Sequence, residues 1–232
     1  MILEIGCNSY ASAKIAYNNG ANRIELFSDW HSGGCTPSLG TIKACSNFDL
    51  PIHAMIRPRG GDFNYSESEF EIMKSDVMAC KDSNINGIVF GILTDTKDID
   101  YEKCKELLNL WDGPATFHRA FDSVNHPLQS LEVLIELGFE RLLTSGKSQT
   151  AIEGIELIKK LVSQSRNRIR ILPGAGINTL NVKEFLNIEG IEGIHTTANA
   201  TITYDDIAGS HESIVDGETV RQMRIIMDEI LQ

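Results

Sequence analysis

Short runs of β-branched and aliphatic residues alternate with longer stretches of helical periodicity along the whole chain, and the order does not break. The strand-like runs are ILEI (2–5), RIEL (23–26), PIHAMI (51–56), GIVF (87–90), ATFH (115–118), RLLT (141–144), RIRIL (168–172) and GIHT (193–196). Helical patterns begin near Ser9, Ser38, Ser66, Asp100, Pro127, Thr150 and Asn178, and an eighth starts near Asp216. Local chemistry supports these starts and stops. Ser66 with Glu69 has the spacing of a capping box, Pro127 suits a first helical residue, and Gly20 and Gly138 stand where left-handed C-caps belong.

Strands that alternate with helices imply parallel pairing through right-handed crossovers. Eight such units fit a single (β/α)8 TIM barrel spanning residues 1–232, whereas a doubly wound sheet would usually carry a glycine-rich phosphate turn after its first strand. GCNS supplies one glycine there. The polar stretch 197–216 reads as a mobile loop.

In such a barrel the working face lies at the C-terminal strand ends. The strand ends here are rich in chemistry. Glu4, Glu25, Arg57 and His118 stand on the first, second, third and fifth strands, and period-two alternation aims them inward together as candidates for acid and base roles. A satisfied polar layer that seals the barrel is the structural alternative. Arg59 and Asp62 follow in RPRGGDF, Arg119 and Asp122 in HRAFD, Ser145 after the sixth strand and His195 on the eighth. PGAGI places Gly174 and Gly176 where barrels build phosphate sites after strand seven. These residues form a candidate substrate site for a small anionic molecule carrying phosphate or carboxylate, with Arg59–Asp62 pairing as the competing arrangement. Glu25 is expected to neutralise Arg57.

Charge narrows the partners. The formal net charge is −11 with scattered lysine and arginine, which argues against nucleic acid. The N-terminal MILEIGCNSY lacks the basic flank and apolar core of a signal peptide, and no run reaches membrane-spanning length. Cys7, Cys35, Cys45, Cys80 and Cys104 are odd in number and contain no CxxC pair, as expected of reduced thiols in a cytoplasmic protein. A metal site from Cys7, Cys35 and His31 stays open, although no spacing demands one.

RPRGGDF and TFHRAFD, with GGCTPSLG, VFGIL, LTSG and PGAGI in this order to about residue 198, resemble the CutC family of copper homeostasis proteins. The resemblance implies a cytoplasmic, usually oligomeric TIM barrel and a role in copper homeostasis. It also implies copper as the one possible cofactor, as Cu(I) on cysteines ending the first and second strands. Those positions are Gly6 and Phe27 here, with Cys7 one place away on the opposite strand face. No copper site is therefore assigned to this sequence, and an enzyme of acid/base chemistry is the alternative to a copper-handling protein.

Overall fold

A computed structural model describes residues 1–203 and 211–230. Eight parallel strands form the barrel: β1 (Ile2–Cys7), β2 (Arg23–Leu26), β3 (Ile52–Met55), β4 (Gly87–Phe90), β5 (Ala115–Phe117), β6 (Arg141–Thr144), β7 (Arg170–Pro173) and β8 (Gly193–Thr196). Their order is β7-β6-β5-β4-β3-β2-β1-β8, and the parallel bridges Ile171–Ile191 and Gly174–His195 bring β7 to β8 and nearly close the ring.

Helices α1 (Tyr10–Asn18), α2 (Leu39–Cys45), α3 (Glu67–Asp82), α4 (Tyr101–Leu110), α5 (Pro127–Leu137), α6 (Ile155–Ser165), α7 (Val182–Leu186) and α8 (Gly217–Ile230) follow the strands. The expected caps are present. Ser66 and Glu69 form a reciprocal capping box on α3, Pro127 opens α5, and Gly138 closes it at φ 86°. Two helices start later than the periodicity predicts. Residues 151–154 form turns before α6 because Gly154 lies against the backbone of Ser145 and Gly146, where a Cβ would meet the Ser145 carbonyl oxygen at 2.0 Å. Before α7, the side chains of Asn178 and Asn181 bond loop backbone instead, Asn181 Oδ1 accepting from the Asn178 N–H and Asn178 Oδ1 from the Leu180 N–H, each at 2.9 Å.

The stretch expected as a mobile loop contains a β-hairpin, with β9 (Asn199–Thr203) and β10 (His211–Val215) paired antiparallel. Residues 204–210 of that expectation lie outside the described residues. The hairpin is anchored to the start of α1, where Asn8 Nδ2 donates to the Ser213 carbonyl at 2.9 Å and the Val215 N–H donates to Ser12 Oγ at 3.3 Å.

Strand alternation divides two interiors. Leu3, Ile5, Ile24, Leu26, Ile52, Ile88, Phe90, Phe117, Leu142, Ile171 and Ile194 belong to the large apolar core between sheet and helices. The opposite parity fills the barrel with Glu4, Arg23, Glu25, His53, Met55, Arg57, Val89, Thr116, His118 and Arg141, all buried. Large rings need room there. Gly87 and Gly91 on and beside β4 provide it, since a Cβ at Gly87 would lie 2.6 Å from the His53 ring and one at Gly91 2.5 Å from His118.

At the end of the barrel where the strands begin, Arg23 and Arg141 converge on Glu192, which directly precedes β8. Arg23 Nη2 lies 3.0 Å and Arg141 Nη2 2.9 Å from the Glu192 carboxylate, and Arg141 Nη1 also donates to Thr116 Oγ1 at 3.2 Å. Arg23 Nε pairs with Glu4. Burial opposes ionisation of Glu192, but Arg141 and Arg23 outweigh it and lower the carboxyl pKa.

Candidate functional site

Above that ionic layer, at the C-terminal strand ends, lies a cavity of about 420 Å³. Glu25 and Phe27 line it from β2 and beyond, Met55 and Arg57 from β3 and its end, His118 and Arg119 from β5's end, and His195 and Thr196 from β8. Trp30, Phe63, Leu143, Gln149 and Gly176 complete much of the remainder. Charged and polar side chains share the lining with aromatic and aliphatic ones, and convergent polar groups in a partly apolar cleft are what small-molecule pockets present.

The carboxylates are organised by His195. Because β1 pairs with β8 in the register Glu4–His195, the imidazole Nδ1 sits 2.7 Å from Glu4 Oε1, while Nε2 faces Glu25 Oε2 at 3.4 Å. Burial disfavours the Glu4 anion, but Arg23 and the His195 hydrogen bond overcome it and hold its pKa well below the usual range. Glu25 goes the other way. Burial raises its pKa to about 7, and the charge of Glu4 adds to the rise against the pull of His195 and Arg23. Burial also opposes protonation of His195, yet Glu25 and Glu4 raise its pKa.

Arg57 has a different partnership from the one expected. Its Nη1 donates to the carbonyls of Ser32 and Gly34 and its Nη2 to that of Gly61, each at 2.8 Å, so Glu25 does not neutralise it. Chain closure through β1 gives Glu25 to His195 instead. Phe63 packs beneath the guanidinium at 4.9 Å and against the His118 ring at 5.0 Å. His118 is neutral, since burial, then the Arg57 charge, depresses its pKa to about 3.

Of the residues proposed from sequence, Glu25, Arg57, His118, Arg119, Gly176 and His195 line the cavity, and Glu4 stands behind His195. Arg59 does not reach it. It pairs with Glu69 at 2.5 Å and Asp62 at 3.0 Å, and so ties RPRGGDF to the cap of α3. Asp122 and Ser145 stitch two loops together: Asp122 accepts from Thr144 Oγ1, the backbone N–H groups of Ser145 and Lys147, and Arg119 Nε. Ser145 Oγ bonds Asp122 at 2.8 Å. Gly174 spends its N–H on the Thr144 carbonyl, and α7 is short and begins at Val182, so PGAG offers no helix-terminal anion site. Ala175 and Gly176 instead carry positive φ, 91° and 70°, at the cavity rim.

Trp30, Met55, Leu143 and Gln149 were not singled out from sequence, and Phe27 and Phe63 entered only as an implied copper position and as the last residue of RPRGGDF. Alternation alone marks Phe27, Met55 and Leu143, since each lies two residues from an inward charge on its strand. Phe63 closes the RPRGGDF motif, whereas no local pattern marks the loop residues Trp30 and Gln149.

Metal chemistry has one candidate trio among the described residues: donor atoms of Glu4, Glu25 and His195 lie within 4.8 Å of one another. Glu4 is already engaged at both oxygens, by Arg23 and by His195. That leaves one carboxylate and one ring nitrogen, a poor set for a resident divalent ion. The position matching the family's first thiol is Gly6, whose added Cβ would point among Phe27, Thr197 and His195 at 3.2 to 3.3 Å. Both implied copper positions thus face the mouth and carry no donor. Cys7 is buried in the outer apolar core, Cys35 is only partly buried, and no cysteine lines the cavity. A two-thiolate Cu(I) centre does not fit these residues.

The model of the CutC family matches residues 1–200. The chain belongs to the CutC family. A human copper homeostasis protein cutC homolog is 44% identical over 202 residues, covering 86% of this chain and 74% of the relative. A CutC family protein of Pasteurella multocida is 46% identical over 197 residues, 84% of this chain and 81% of the relative. Among solved structures, the putative copper homeostasis protein CutC from Streptococcus agalactiae superimposes with a TM-score of 0.81 at 33% identity, covering 85% of this chain and 99% of that one. These CutC relatives and the nearly closed ring of eight parallel strands agree on the TIM-barrel fold.

Proposed function

We propose that this CutC family member serves copper homeostasis, the role named for its relatives, through a small-molecule site at the barrel mouth and not by holding Cu(I) on paired thiolates. The observation that carries the reading is the chemistry of the mouth: a buried guanidinium, a buried carboxylate and two imidazoles surround the cavity, and no thiol does. Soft Cu(I) prefers thiolate and thioether donors, of which the lining holds Met55 alone. The ligand expected there is a small anion bearing carboxylate or phosphate, drawn by Arg57.

The cytoplasm is the proposed compartment. All five cysteines are unpaired, as a reducing compartment keeps them, and no described helix is long and apolar enough to cross a membrane.

The test pairs two titrations of the full chain. Cu(I) in competition with a chelator is expected to bind weakly and indifferently to Cys7→Ser or Cys35→Ser. Calorimetry with phosphate and oxalate is expected to show binding in the wild type that Arg57→Ala loses. Tight stoichiometric Cu(I) binding abolished by Cys7→Ser, with no anion binding, would overturn the reading.

A further inference from the structure

Three side-chain atoms on residues lining the cavity are buried and make no well-formed hydrogen bond within the protein: Glu25 Oε1, His118 Nε2 and Arg57 Nε, the last on a guanidinium that interacts with the buried Tyr65 hydroxyl. Their residues are only 3, 4 and 4% exposed. Leaving such an atom unpaired costs about 1–3 kcal/mol, and native interiors rarely do so without reason. Their chemistry is complementary. His118 Nδ1 accepts from the Ala120 N–H at 3.2 Å, so in the neutral ring the proton sits on Nε2 and that atom is a donor. Arg57 Nε–H is a donor too, and Phe63 packs against both residues. Glu25 is the acceptor of the set, with its other oxygen toward His195, which Glu4 in turn orients.

Among the described residues no ion pair engages Arg57, whose guanidinium meets three backbone carbonyls. A buried cation so held lacks a counter-charge, which a ligand carboxylate would supply in a charge-assisted bond. The cavity, at about 420 Å³, is in the range for a small metabolite.

We propose that the mouth binds a small carboxylate-bearing carbonyl compound and transfers a proton at the carbon next to its carbonyl, with Glu25 as base and Arg57 and His118 holding the oxygen. This rests on the mouth-site reading above and names its ligand class and reaction. In the forward step the C–H bond breaks and its proton passes to the Glu25 carboxylate. The bonding pair becomes the carbon–carbon double bond of an enolate, and the carbonyl π pair moves onto oxygen. That developing charge meets the two N–H donors, the arrangement by which preorganised dipoles lower such barriers. The reverse step returns a proton from Glu25 to carbon, so no co-reactant is needed. His195 and Glu4 are positioning residues that keep Glu25 aimed.

The test follows hydrogen exchange by proton NMR in deuterated buffer, with 2-oxobutyrate in one arm and dihydroxyacetone phosphate in the other. Oxalate binding by calorimetry is measured alongside, because oxalate is planar and resembles the enolate of an oxo acid. The expected result is protein-dependent exchange of 2-oxobutyrate at its C3 protons, reduced about 100-fold or more in the nearly isosteric Glu25→Gln and by at least about 10-fold in His118→Phe. Oxalate binding should persist in Glu25→Gln, which also shows that the variant is folded. Exchange equal in wild type and Glu25→Gln would overturn the proposal. Exchange confined to the phosphate arm would overturn the carboxylate assignment. Oxalate binding without exchange in either arm would overturn proton transfer while leaving the mouth site standing, and absence of both binding and exchange would remove the two readings together.

Discussion

His195 Nε2 faces Glu25 Oε2 at 3.4 Å, across a junction where β2 and β8 both flank β1. Two groups that share a proton in a buried site shift each other's titration, and here burial leaves Glu25 with a pKa of about 7 instead of 4.5.

That shift has a signed consequence for stability. Between pH 4.5 and 7 the folded protein holds a proton on Glu25 that the unfolded chain releases, so this contribution falls as pH rises. His53 and His118 act oppositely, since burial lowers both to about 3 and folding then excludes protons that the unfolded chain binds below about 6.5. The readout is therefore the difference between wild type and Glu25→Gln in urea denaturation. The advantage of the wild type is expected to shrink by about 3 kcal/mol from pH 4.5 to above 7. A pH-independent difference would show that Glu25 titrates normally.

Glu192→Gln removes the shared counter-charge of Arg23 and Arg141, both nearly inaccessible to water. Arg23 keeps Glu4 and Arg141 keeps the more exposed Glu140, so the two buried cations are left with less counter-charge and not with none, and a loss of about 2 kcal/mol is expected in chemical denaturation. A change below about 1 kcal/mol would mean that water reaches this layer.

The two arginines of RPRGGDF separate in function. Arg59→Ala is expected to cost about 1 kcal/mol or less, because its pairs with Glu69 and Asp62 are partly exposed, and to leave oxalate binding at the mouth intact. Arg57→Ala should abolish that binding. Calorimetry on both variants decides whether the motif acts as one unit.

Copper affinity should be created by geometry. Gly6 and Phe27 are neighbours at the mouth, the Gly6 Cβ position lying 3.2 Å from the Phe27 ring. The double variant Gly6→Cys, Phe27→Cys is expected to bind Cu(I) at least about 100-fold more tightly than wild type in chelator competition, while either single variant gains little. Equal affinity in wild type and double variant would show that the strand ends do not set copper binding.

The sequence by itself determined the repeating unit, the parity of each strand and the direction of Cys7. These depend on period-two alternation, helix caps and turn residues, all of which act within a few positions of the chain. It also marked Glu4, Glu25, Arg57 and His118 as inward, and the structure buries all four. Which charge meets which was settled only in three dimensions. Glu25 was expected beside Arg57 from the adjacent strand, yet closure of the ring brings His195 from the far end of the sequence to Glu4 and Glu25. The same closure lets Glu192 span Arg23 and Arg141, 169 and 51 residues away. Arg57 turned to loop carbonyls because the segment after β2 folds over it, and residues 199–215 contain a hairpin because their backbone groups find partners in each other and at the start of α1. Pairings of this kind depend on contacts distant in sequence, where no local periodicity carries a signal.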